Sequence, residues 1–314
     1  MRVCRFVRDG NVEAGFYFDD FVVPLKRACN VYGEETGATL PVVGDETVLE
    51  LLCSSEKADT AYTLGRWFAE QPKMPKNVGI PLEAVTLRTP IPDPPKILLL
   101  AGNYAAHIEE EGQVAVERRE TFPYVFIKPR TTLNHPGAKV PIPACSPDTI
   151  DYECELAIVV GKRAKAVPEE AALGYVAGYT VVNDISDRKF RPNPGRRERE
   201  KDAFFDWLHG KWHDGFCPVG PAISSARWIT DPQSLSVELK VNGEVRQSGS
   251  TGQMVFPVAA IVAFISQWIT LEPGDIIATG TPAGVGAASG RFLKAGDVLE
   301  ASIENIGTLR NTMA

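Results

Sequence analysis

The sequence has 314 residues, which is enough for about two domains with substantial cores. Hydrophobic residues make up 44% and charged residues 23%, which favours neither a disordered chain nor a membrane protein, and the net charge of −7 argues against a broad electrostatic grip on nucleic acid. Residues 1–6 lack the apolar core of a signal peptide, and the six cysteines show no CxxC spacing. We therefore expect a reducing, cytoplasmic setting without a zinc cage, a disulfide framework or membrane contact.

The first 92 residues are predicted to form a small α+β domain. Alternating apolar residues predict strands over residues 3–7, 14–18 and 21–25. Helical patterns follow over residues 46–55 and 60–70, and a proline-containing run stops the second helix. A cluster of prolines at positions 90, 92, 94 and 95 fits neither a helix nor a central strand, so we place the linker there.

Residues 93–314 are predicted to form a second domain that is mainly β. Strands are expected over residues 96–101, 124–128, 154–160, 176–182, 235–241, 275–278 and 297–303. Asn242-Gly243 predicts a type I′ hairpin turn. One long core helix is expected over Gln253–Thr270, with an apolar stripe that includes Val258, Ile265 and Trp268. The predicted class is α+β with β-structure dominant.

Three carboxylates stand at the ends of two predicted strands. Glu153 and Glu155 alternate along one strand and therefore point the same way, and Asp184 ends the next strand. Carboxylates this close repel each other unless a cation intervenes, and an oxygen-only set suits Mg²⁺ or Mn²⁺. The same pattern also fits a solvated edge strand with two surface glutamates, and an Asp184 that merely caps a turn with Ser186.

His107 and Glu110 form a second constellation on a short predicted helix. Their i, i+3 spacing places both side chains on one face, where the carboxylate can orient the imidazole. Such a pair can activate water, although an exposed pair at this spacing is usually only a surface contact.

A glycine-rich segment, Thr279–Gly290, follows the strand predicted over residues 275–278. Its glycine spacing misses GxGxxG by one residue, and Pro282 argues against a dinucleotide-binding turn. We expect a loop whose backbone amides, together with the Thr281 hydroxyl, hold a substrate carboxylate. A tight turn with purely conformational glycines is the alternative.

Taken together, these motifs resemble the fumarylacetoacetate hydrolase family. The matching stretches are Asn103-Tyr104-x-x-His107-x-x-Glu110, Asp151-Tyr152-Glu153-x-Glu155-Leu156, Gly178-Tyr179-Thr180-Val181-x-Asn183-Asp184-x-Ser186-x-Arg188 and Gly274-Asp275-x-Ile277-x-Thr279-Gly280-Thr281-Pro282-Ala283-Gly284-Val285-Gly286. The resemblance implies a mixed β-sandwich roll, usually dimeric, with a small variable N-terminal domain. It also implies that Glu153, Glu155 and Asp184 bind Mg²⁺ or Mn²⁺, with Ca²⁺ as a substitute in crystals, and that His107 and Glu110 form the base.

Lys211 lies in a segment, residues 210–221, that is similar to the family's Gly-Lys-x-x-Asp-x-x-x-Pro-x-Gly-Pro. Three carboxylates around a divalent ion leave a net charge near −1, and an anionic 2-oxo acid adds to it. A nearby ammonium offsets this excess, so we assign Lys211 to catalysis. Asn103 and Tyr104, in the same motif as His107, are assigned to substrate binding.

The sequence departs from the family after Arg188. Relatives commonly carry a glutamine that contacts substrate three positions past this arginine, and here Arg191 replaces it within an unusually basic segment. Arg188 and Arg191 are therefore assigned to binding an acidic ligand. A solvated or dimer-facing loop explains the same residues equally well.

These features lead to three functional hypotheses. The first is a divalent-metal-dependent hydrolase that cleaves a C–C bond in a 1,3-diketo acid, such as an acylpyruvate or fumarylpyruvate, through a metal-stabilised enolate with water activated by His107 and Glu110. The second is a decarboxylase or isomerase of a 2-oxo dicarboxylate, such as oxaloacetate or a hydroxyheptadienedioate, at the same site. The third, a non-catalytic metal-bound scaffold, predicts a damaged base, whereas His107, Glu110 and Lys211 are all present.

Overall fold

A computed structural model describes residues 1–38, 40–41, 44–53, 55–71, 78–110, 112 and 114–314. The strands of these residues are β1 Arg2–Arg8, β2 Asn11–Tyr17, β3 Phe21–Pro24, β4 Ile80–Pro81, β5 Thr86–Arg88, β6 Ile97–Ala101, β7 Tyr124–Ile127, β8 Leu133–Asn134, β9 Lys139–Val140, β10 Ile150–Asp151, β11 Cys154–Val160, β12 Val176–Asn183, β13 Ser186–Asp187, β14 Cys217–Ser225, β15 Ser236–Val241, β16 Glu244–Ser250, β17 Ile276–Ala278, β18 Val298–Ile303 and β19 Gly307–Met313. The helices are α1 Leu25–Thr36, α2 Glu50–Cys53, α3 Ser55–Glu70, α4 Ala105–Glu110, α5 Glu169–Ala172, α6 Asp202–Gly210, α7 Val258–Trp268 and α8 Gly286–Ser289.

The largest sheet runs through both halves of the chain, in the order β4-β3-β2-β1-β14-β12-β11-β17-β6-β7. The N-terminal strands join it where β1 pairs antiparallel with β14, with Val3 opposite Ile223. One hydrophobic cluster likewise contains Val3 from the N-terminal part together with Leu99 and Val159. The two halves therefore share a sheet and a core, and their division at residue 92 stays a prediction.

A smaller sheet, in the order β16-β15-β18-β19-β9, packs against the large one. The hydrophobic cluster between them contains Ile158 of β11, Leu239 of β15 and Ala301 of β18. Helix α7 contributes Ile261 and Ile265 to the same cluster. Two apolar sheet faces that bury each other in this way form a sandwich, so the predicted class of a mainly β, α+β fold is confirmed.

Several predicted elements differ from the structure at their ends. The long helix begins at Val258 rather than Gln253, because Pro257 occupies its N-cap, and Trp268 is exposed rather than buried. Helix α1 was not predicted, because its first residue, Leu25, was read as the end of strand β3. Strand β14 was also missed, since prolines argue against a central strand. The hairpin at Asn242-Gly243 has the positive φ at both residues that a type I′ turn requires.

In the described ranges, no helix is both long and apolar enough to cross a lipid bilayer.

Candidate metal and catalytic site

The three predicted metal ligands converge where β11 begins and β12 ends. The two strands are antiparallel, and Cys154 pairs with Asn183, so Glu153 and Glu155 lie beside Asp184. The backbone of Asp184 donates to the Glu153 carbonyl at 2.8 Å. One carboxylate oxygen from each acid lies within 4.8 Å of the others, and all three side chains are buried. Glu153 precedes β11 instead of lying within it, so the single-strand prediction holds for Glu155 alone.

Two buried ammonium groups contact this carboxylate triad. Nζ of Lys211 lies 2.9 Å from Oε2 of Glu153 and 2.6 Å from Oδ2 of Asp184. Nζ of Lys128 donates to the other oxygen of Asp184 and to the carbonyls of Ile185, at 2.9 Å, and Phe216, at 2.7 Å. Lys128 was missed by the sequence reasoning, and its position at the end of an apolar strand is the only signal that indicates burial.

Asp151 and Arg188 brace the triad from one side. Oδ2 of Asp151 accepts from Nε of Arg188 at 2.8 Å, and Nη2 of Arg188 lies 2.7 Å from Oε1 of Glu153. Asp151 also accepts from the backbone amides of Gly286, at 2.6 Å, and Ala287, at 2.9 Å. The sequence alone assigns no role to Asp151, whereas in the structure it is fully buried and ties Arg188 to the glycine-rich segment.

Within this cluster, the cationic side chains compensate the charge of Glu153 but not that of Glu155. Lys211 and Arg188 outweigh burial and hold the pKa of Glu153 well below its usual value. For Glu155, burial and the charges of Asp184 and Glu153 raise the pKa well above its usual value. Its Oε2 accepts from the Gly280 amide at 2.6 Å, whereas its Oε1 has no hydrogen-bond partner in the described part of the chain. A buried, unpartnered carboxylate oxygen in an oxygen-only set fits Mg²⁺ or Mn²⁺.

His107 and Glu110 pair as predicted, on helix α4. Nδ1 of His107 lies 2.8 Å from Oε1 of Glu110, and the Gly284 amide donates to both Glu110 oxygens, at 3.1 and 2.9 Å. His107 is buried, and it lies close enough to Glu153 to act electrostatically on that carboxylate. The structure therefore brings the His107–Glu110 pair and the triad into one region.

The predicted substrate-binding residues Asn103 and Thr281 hold the backbone around the site. The Asn103 amide donates to the carbonyls of Phe256, at 3.1 Å, and Thr279, at 2.8 Å. The Thr281 hydroxyl donates to the Cys154 carbonyl at 2.9 Å. Their contact with substrate stays a prediction. The amides of the glycine-rich segment, at Gly280, Gly284 and Gly286, bind the site's own carboxylates.

Gln247 is a further residue that sequence reasoning missed. Its buried side-chain amide accepts from the Cys154 backbone at 3.0 Å and donates to the Thr281 hydroxyl at 2.8 Å and the Pro282 carbonyl at 2.7 Å. It thus joins the start of β11 to the glycine-rich segment. No motif marks a glutamine for this role, because its partners are distant in the sequence.

The remaining two substrate-binding assignments have different surroundings. Tyr104 is buried, its hydroxyl has no hydrogen-bond partner in the described ranges, and burial followed by the charge of Glu155 raises its pKa. Arg191 is exposed and pairs with Glu198 at 2.6 Å. The neighbouring Arg196 pairs with Asp202 at 2.9 Å, so much of the basic segment's charge is neutralised locally.

Residues 96–314 match the model of the fumarylacetoacetate (FAA) hydrolase C-terminal family. The chain belongs to this family.

One relative of this fumarylacetoacetate hydrolase family member is the 2,4-didehydro-3-deoxy-L-rhamnonate hydrolase of Sphingomonas sp.. The two sequences are 34% identical over 100% of this chain and 96% of that protein. The mitochondrial oxaloacetate tautomerase Fahd2a of Rattus norvegicus is 37% identical over 82% of this chain and 77% of its own. The crystal structure of maleylpyruvate hydrolase from Sphingobium sp. SYK-6, in complex with manganese(II) and pyruvate, matches with a TM-score of 0.71 and 30% identity, over 100% of this chain and 99% of that chain.

These relatives are enzymes, in agreement with the prediction that this family member is a metal-dependent hydrolase or isomerase. The manganese complex of the Sphingobium protein and the buried triad of this chain together support the binding of a divalent metal.

Proposed function

We propose that this enzyme is a divalent-metal-dependent hydrolase that cleaves the C–C bond of a 1,3-diketo acid of the acylpyruvate or fumarylpyruvate type. One observation carries the proposal: the triad of Glu153, Glu155 and Asp184 is buried beside the His107–Glu110 pair. The triad supplies oxygens for Mg²⁺ or Mn²⁺, and the pair supplies a base. Relatives with hydrolase names support this choice.

The chemistry begins at the imidazole of His107. An ionised Glu110 only accepts hydrogen bonds, so Nδ1 of His107 carries the proton at their 2.8 Å contact, and Nε2 carries a lone pair. Nε2 takes a proton from water as the water oxygen attacks the distal carbonyl carbon of the substrate. The C–C bond then breaks, a carboxylic acid leaves, and the proton on Nε2 returns to the carbanion carbon of the 2-oxo acid product.

A bound divalent cation supplies Lewis acidity for the oxygens of a 2-oxo acid. Glu153, Glu155 and Asp184 hold this cation, and Lys211 contributes a positive charge next to Glu153 and Asp184 that stabilises negative charge on the substrate. Asn103, Thr281 and Arg188 keep the surrounding backbone and carboxylates in place, and Tyr104 presents a buried hydroxyl to the substrate.

The second candidate is decarboxylation or isomerisation of a 2-oxo dicarboxylate, and it is favoured by the relative named oxaloacetate tautomerase. Here Arg191 was expected to bind the second carboxylate. Its pairing with Glu198 reduces the charge it can offer, so we rank this candidate second.

Both candidates are tested by one set of incubations. The purified protein is loaded with Mn²⁺ and incubated separately with an acylpyruvate and with oxaloacetate, and pyruvate, the free carboxylic acid, CO₂ and the enol–keto ratio are followed. Release of pyruvate with a carboxylic acid supports the hydrolase, and CO₂ release or faster tautomerisation alone supports the second candidate.

Substitutions then test the assigned residues. We expect Glu153→Ala to lose both Mn²⁺ binding and turnover. His107→Asn should keep Mn²⁺ binding and lose about 10²- to 10⁴-fold in kcat, the usual contribution of a general base. Turnover that survives in both variants contradicts the proposal.

We also propose that the enzyme is a cytoplasmic homodimer. All six cysteines are unpaired, which fits a reducing compartment. Apolar side chains are exposed along β7 and beside it, with exposed fractions of 62% for Tyr124, 58% for Phe122 and 54% for Ile127. A second copy covering this surface explains the exposure. Light scattering after size-exclusion chromatography measures the mass, and Tyr124→Lys should shift it toward the monomer.

A further inference from the structure

Two arginines lie directly opposite each other on strands β1 and β5, neither of which contributes to the carboxylate triad. Arg5 of β1 pairs in register with Arg88 of β5 in an antiparallel ladder, so both side chains stand on the same face. On the other side of β1, Arg5 pairs with Ala14 of β2, whose side chain carries no charge. Like charges in directly opposed positions destabilise a sheet. The juxtaposition therefore needs an explanation.

Neither guanidinium has a hydrogen-bond acceptor or a carboxylate within ion-pair distance in the ranges that the structure describes. Both arginines are half-buried, which limits how well water replaces the missing partners. Burial and the charge of Arg88 together lower the pKa of Arg5. An arginine fork presents several N–H groups in fixed directions, and two adjacent forks without acceptors suit one oxyanion.

An imidazole approaches the two arginines from the second half of the chain. Nδ1 of His135 lies 3.3 Å from the backbone nitrogen of Thr89 and 3.2 Å from its hydroxyl. Because Thr89 directly follows Arg88, these contacts hold the ring close to Arg88. Burial, then Arg88 and Arg5, lowers the pKa of His135. Two guanidinium cations and one imidazole from three separate segments therefore meet here, and because Nδ1 of His135 accepts from the Thr89 amide, its Nε2 carries the proton and can donate.

Space for a ligand exists beside Arg5. A cavity of about 630 Å³ is lined by Arg5, by Ala14 and by the linker residues Pro90, Ile91 and Pro92. Arg88, which pairs in register with Arg5, and His135, which contacts Thr89, lie next to this lining and not in it. The cavity lies where the N-terminal strands meet the linker, and clefts between chain segments of this kind are frequent ligand sites.

Carboxylates also line this cavity, but most are already matched. Glu13 pairs with Arg8 at 3.0 Å, and Asp93 pairs with Arg130 at 2.6 Å. Glu46 accepts from the Gly44 amide at 2.9 Å. None of the acids that line the cavity, Asp45 included, lies within ion-pair distance of Arg5 or Arg88 in the described ranges, so the charge of these two arginines is uncompensated.

We propose that Arg5, Arg88 and His135 form a binding site for a small multivalent oxyanion, a phosphoryl group or a dicarboxylate, separate from the metal site. The anion bridges the two guanidinium groups and removes the cross-strand repulsion. It thereby couples β1 and β5 to the linker at the seam between the two halves of the chain.

Thermal unfolding of the full chain in excess Mg²⁺ tests the site. Inorganic phosphate, sulfate and malonate are titrated separately against sodium chloride of equal ionic strength, because a ligand that binds the folded state raises Tm in a saturable way. We expect a saturable rise with at least one of the three. The anion with the lowest dissociation constant then separates a phosphoryl from a dicarboxylate ligand.

Variants assign the effect to this site. Arg5→Gln and Arg88→Gln should each weaken the anion by about tenfold or more, as expected for the loss of a charge-assisted hydrogen bond. Arg310→Gln, which changes an exposed arginine on β19, is the matched control and should bind as the wild type does. Without the anion, Arg88→Gln should be at least as stable as the wild type, because the repulsion is gone.

Three outcomes overturn the proposal. They are the absence of any saturable shift beyond the sodium chloride control, an anion affinity that survives in the Arg5→Gln/Arg88→Gln double variant, and an Arg88→Gln variant that is less stable than Arg310→Gln in chloride alone.

Discussion

The ammonium of Lys211 lies 2.6 Å from a carboxylate oxygen of Asp184, inside the cluster that is proposed to hold the metal. The same ammonium is 2.9 Å from Glu153, so a single cation contacts two of the three expected ligands. Lys128 contacts the other oxygen of Asp184. Lys211 and Lys128 thus neutralise part of the negative charge of the carboxylates. A bound metal ion would add further positive charge to that of the lysines.

This arrangement predicts that Lys211→Met separates metal binding from turnover. Removal of an ammonium beside the ligands reduces cation–cation repulsion, so Mn²⁺ affinity should be unchanged or higher. The variant lacks the charge that stabilises negative charge on the substrate, and kcat should fall by about 10²- to 10³-fold, as for loss of one electrostatic donor. Titration calorimetry gives the affinity, and steady-state assays give kcat. Weaker Mn²⁺ binding with kcat unchanged contradicts the assigned role.

Glu155→Gln should make the metal-free protein more stable and the metal less effective. Glu155 is a buried carboxylate with an unpartnered oxygen, and burial with its acidic neighbours raises its pKa. A neutral amide of the same shape removes the cost of that charge and can still accept from the Gly280 amide. The Tm should therefore rise without metal, and the further rise on adding Mn²⁺ should nearly disappear.

Thr60→Ser serves as the matched control for Glu155→Gln, because it alters a buried polar side chain on α3 that no proposed ligand contacts. It should respond to Mn²⁺ as the wild type does. If Mn²⁺ stabilises Glu155→Gln and the control equally, Glu155 is not a ligand.

The parts of the site that follow local spacing were predictable, and the parts that depend on long-range contacts were not. The three carboxylates and the His107–Glu110 pair are visible because strand ends and i, i+3 spacing place them together. Lys128 and Gln247 have partners 56 and 93 residues away, so no pattern in their own segments reveals them. Asp151 was undervalued because its role depends on Arg188 and on the amide of Gly286.

The strands show the same difference between features that local patterns predict and features that depend on long-range contacts. Strand β11 was predicted with its observed bounds, because a continuous apolar run between turn residues is a strong signal. Strand β14, its neighbour but one in the sheet, contains prolines that normally exclude a central position, and it was missed. Tertiary pairing with β1 and β12 outweighs the local preference there.

Gln247→Leu should weaken the fold and the site together. The substitution removes three hydrogen bonds and leaves the Cys154 amide and the Pro282 carbonyl buried without partners. Each of these two losses costs about 1–3 kcal/mol, so the free energy of unfolding should fall by about 2–6 kcal/mol. Turnover should fall as well, because Thr281 and the start of β11 lose their common anchor. Denaturant unfolding and steady-state assays measure the two effects.

Gln267→Leu is the matched control for Gln247→Leu. Gln267 is also a glutamine, but it lies on α7 and makes longer hydrogen bonds of 3.3 and 3.4 Å. Its substitution should change stability by less than about 1 kcal/mol. Equal losses in the two variants would show that Gln247 has no special place in the site.

The surroundings of Asp275, a residue outside the metal site, predict that the stability of the protein depends on pH. Its carboxylate is buried, one oxygen has no hydrogen-bond partner in the described ranges, and the other lies 2.7 Å from Nζ of Lys96. Burial outweighs Lys96 and raises the pKa of Asp275 above its usual value. A raised pKa in the folded state means that this group favours folding below its unfolded pKa, near 3.9, and that this contribution is lost as the pH rises through the folded value.

Asp275→Asn should therefore stabilise the protein at neutral pH and change little in acid. The neutral amide resembles the protonated carboxyl, and Lys96 is partly exposed, so water can replace its partner. The difference in unfolding free energy between variant and wild type should be close to zero near pH 4 and grow as the pH rises above it. Denaturant unfolding at a series of pH values gives this curve, with Asp297→Asn at an exposed turn as the control. A difference that shrinks as the pH rises would reverse the sign and show that Lys96 outweighs burial.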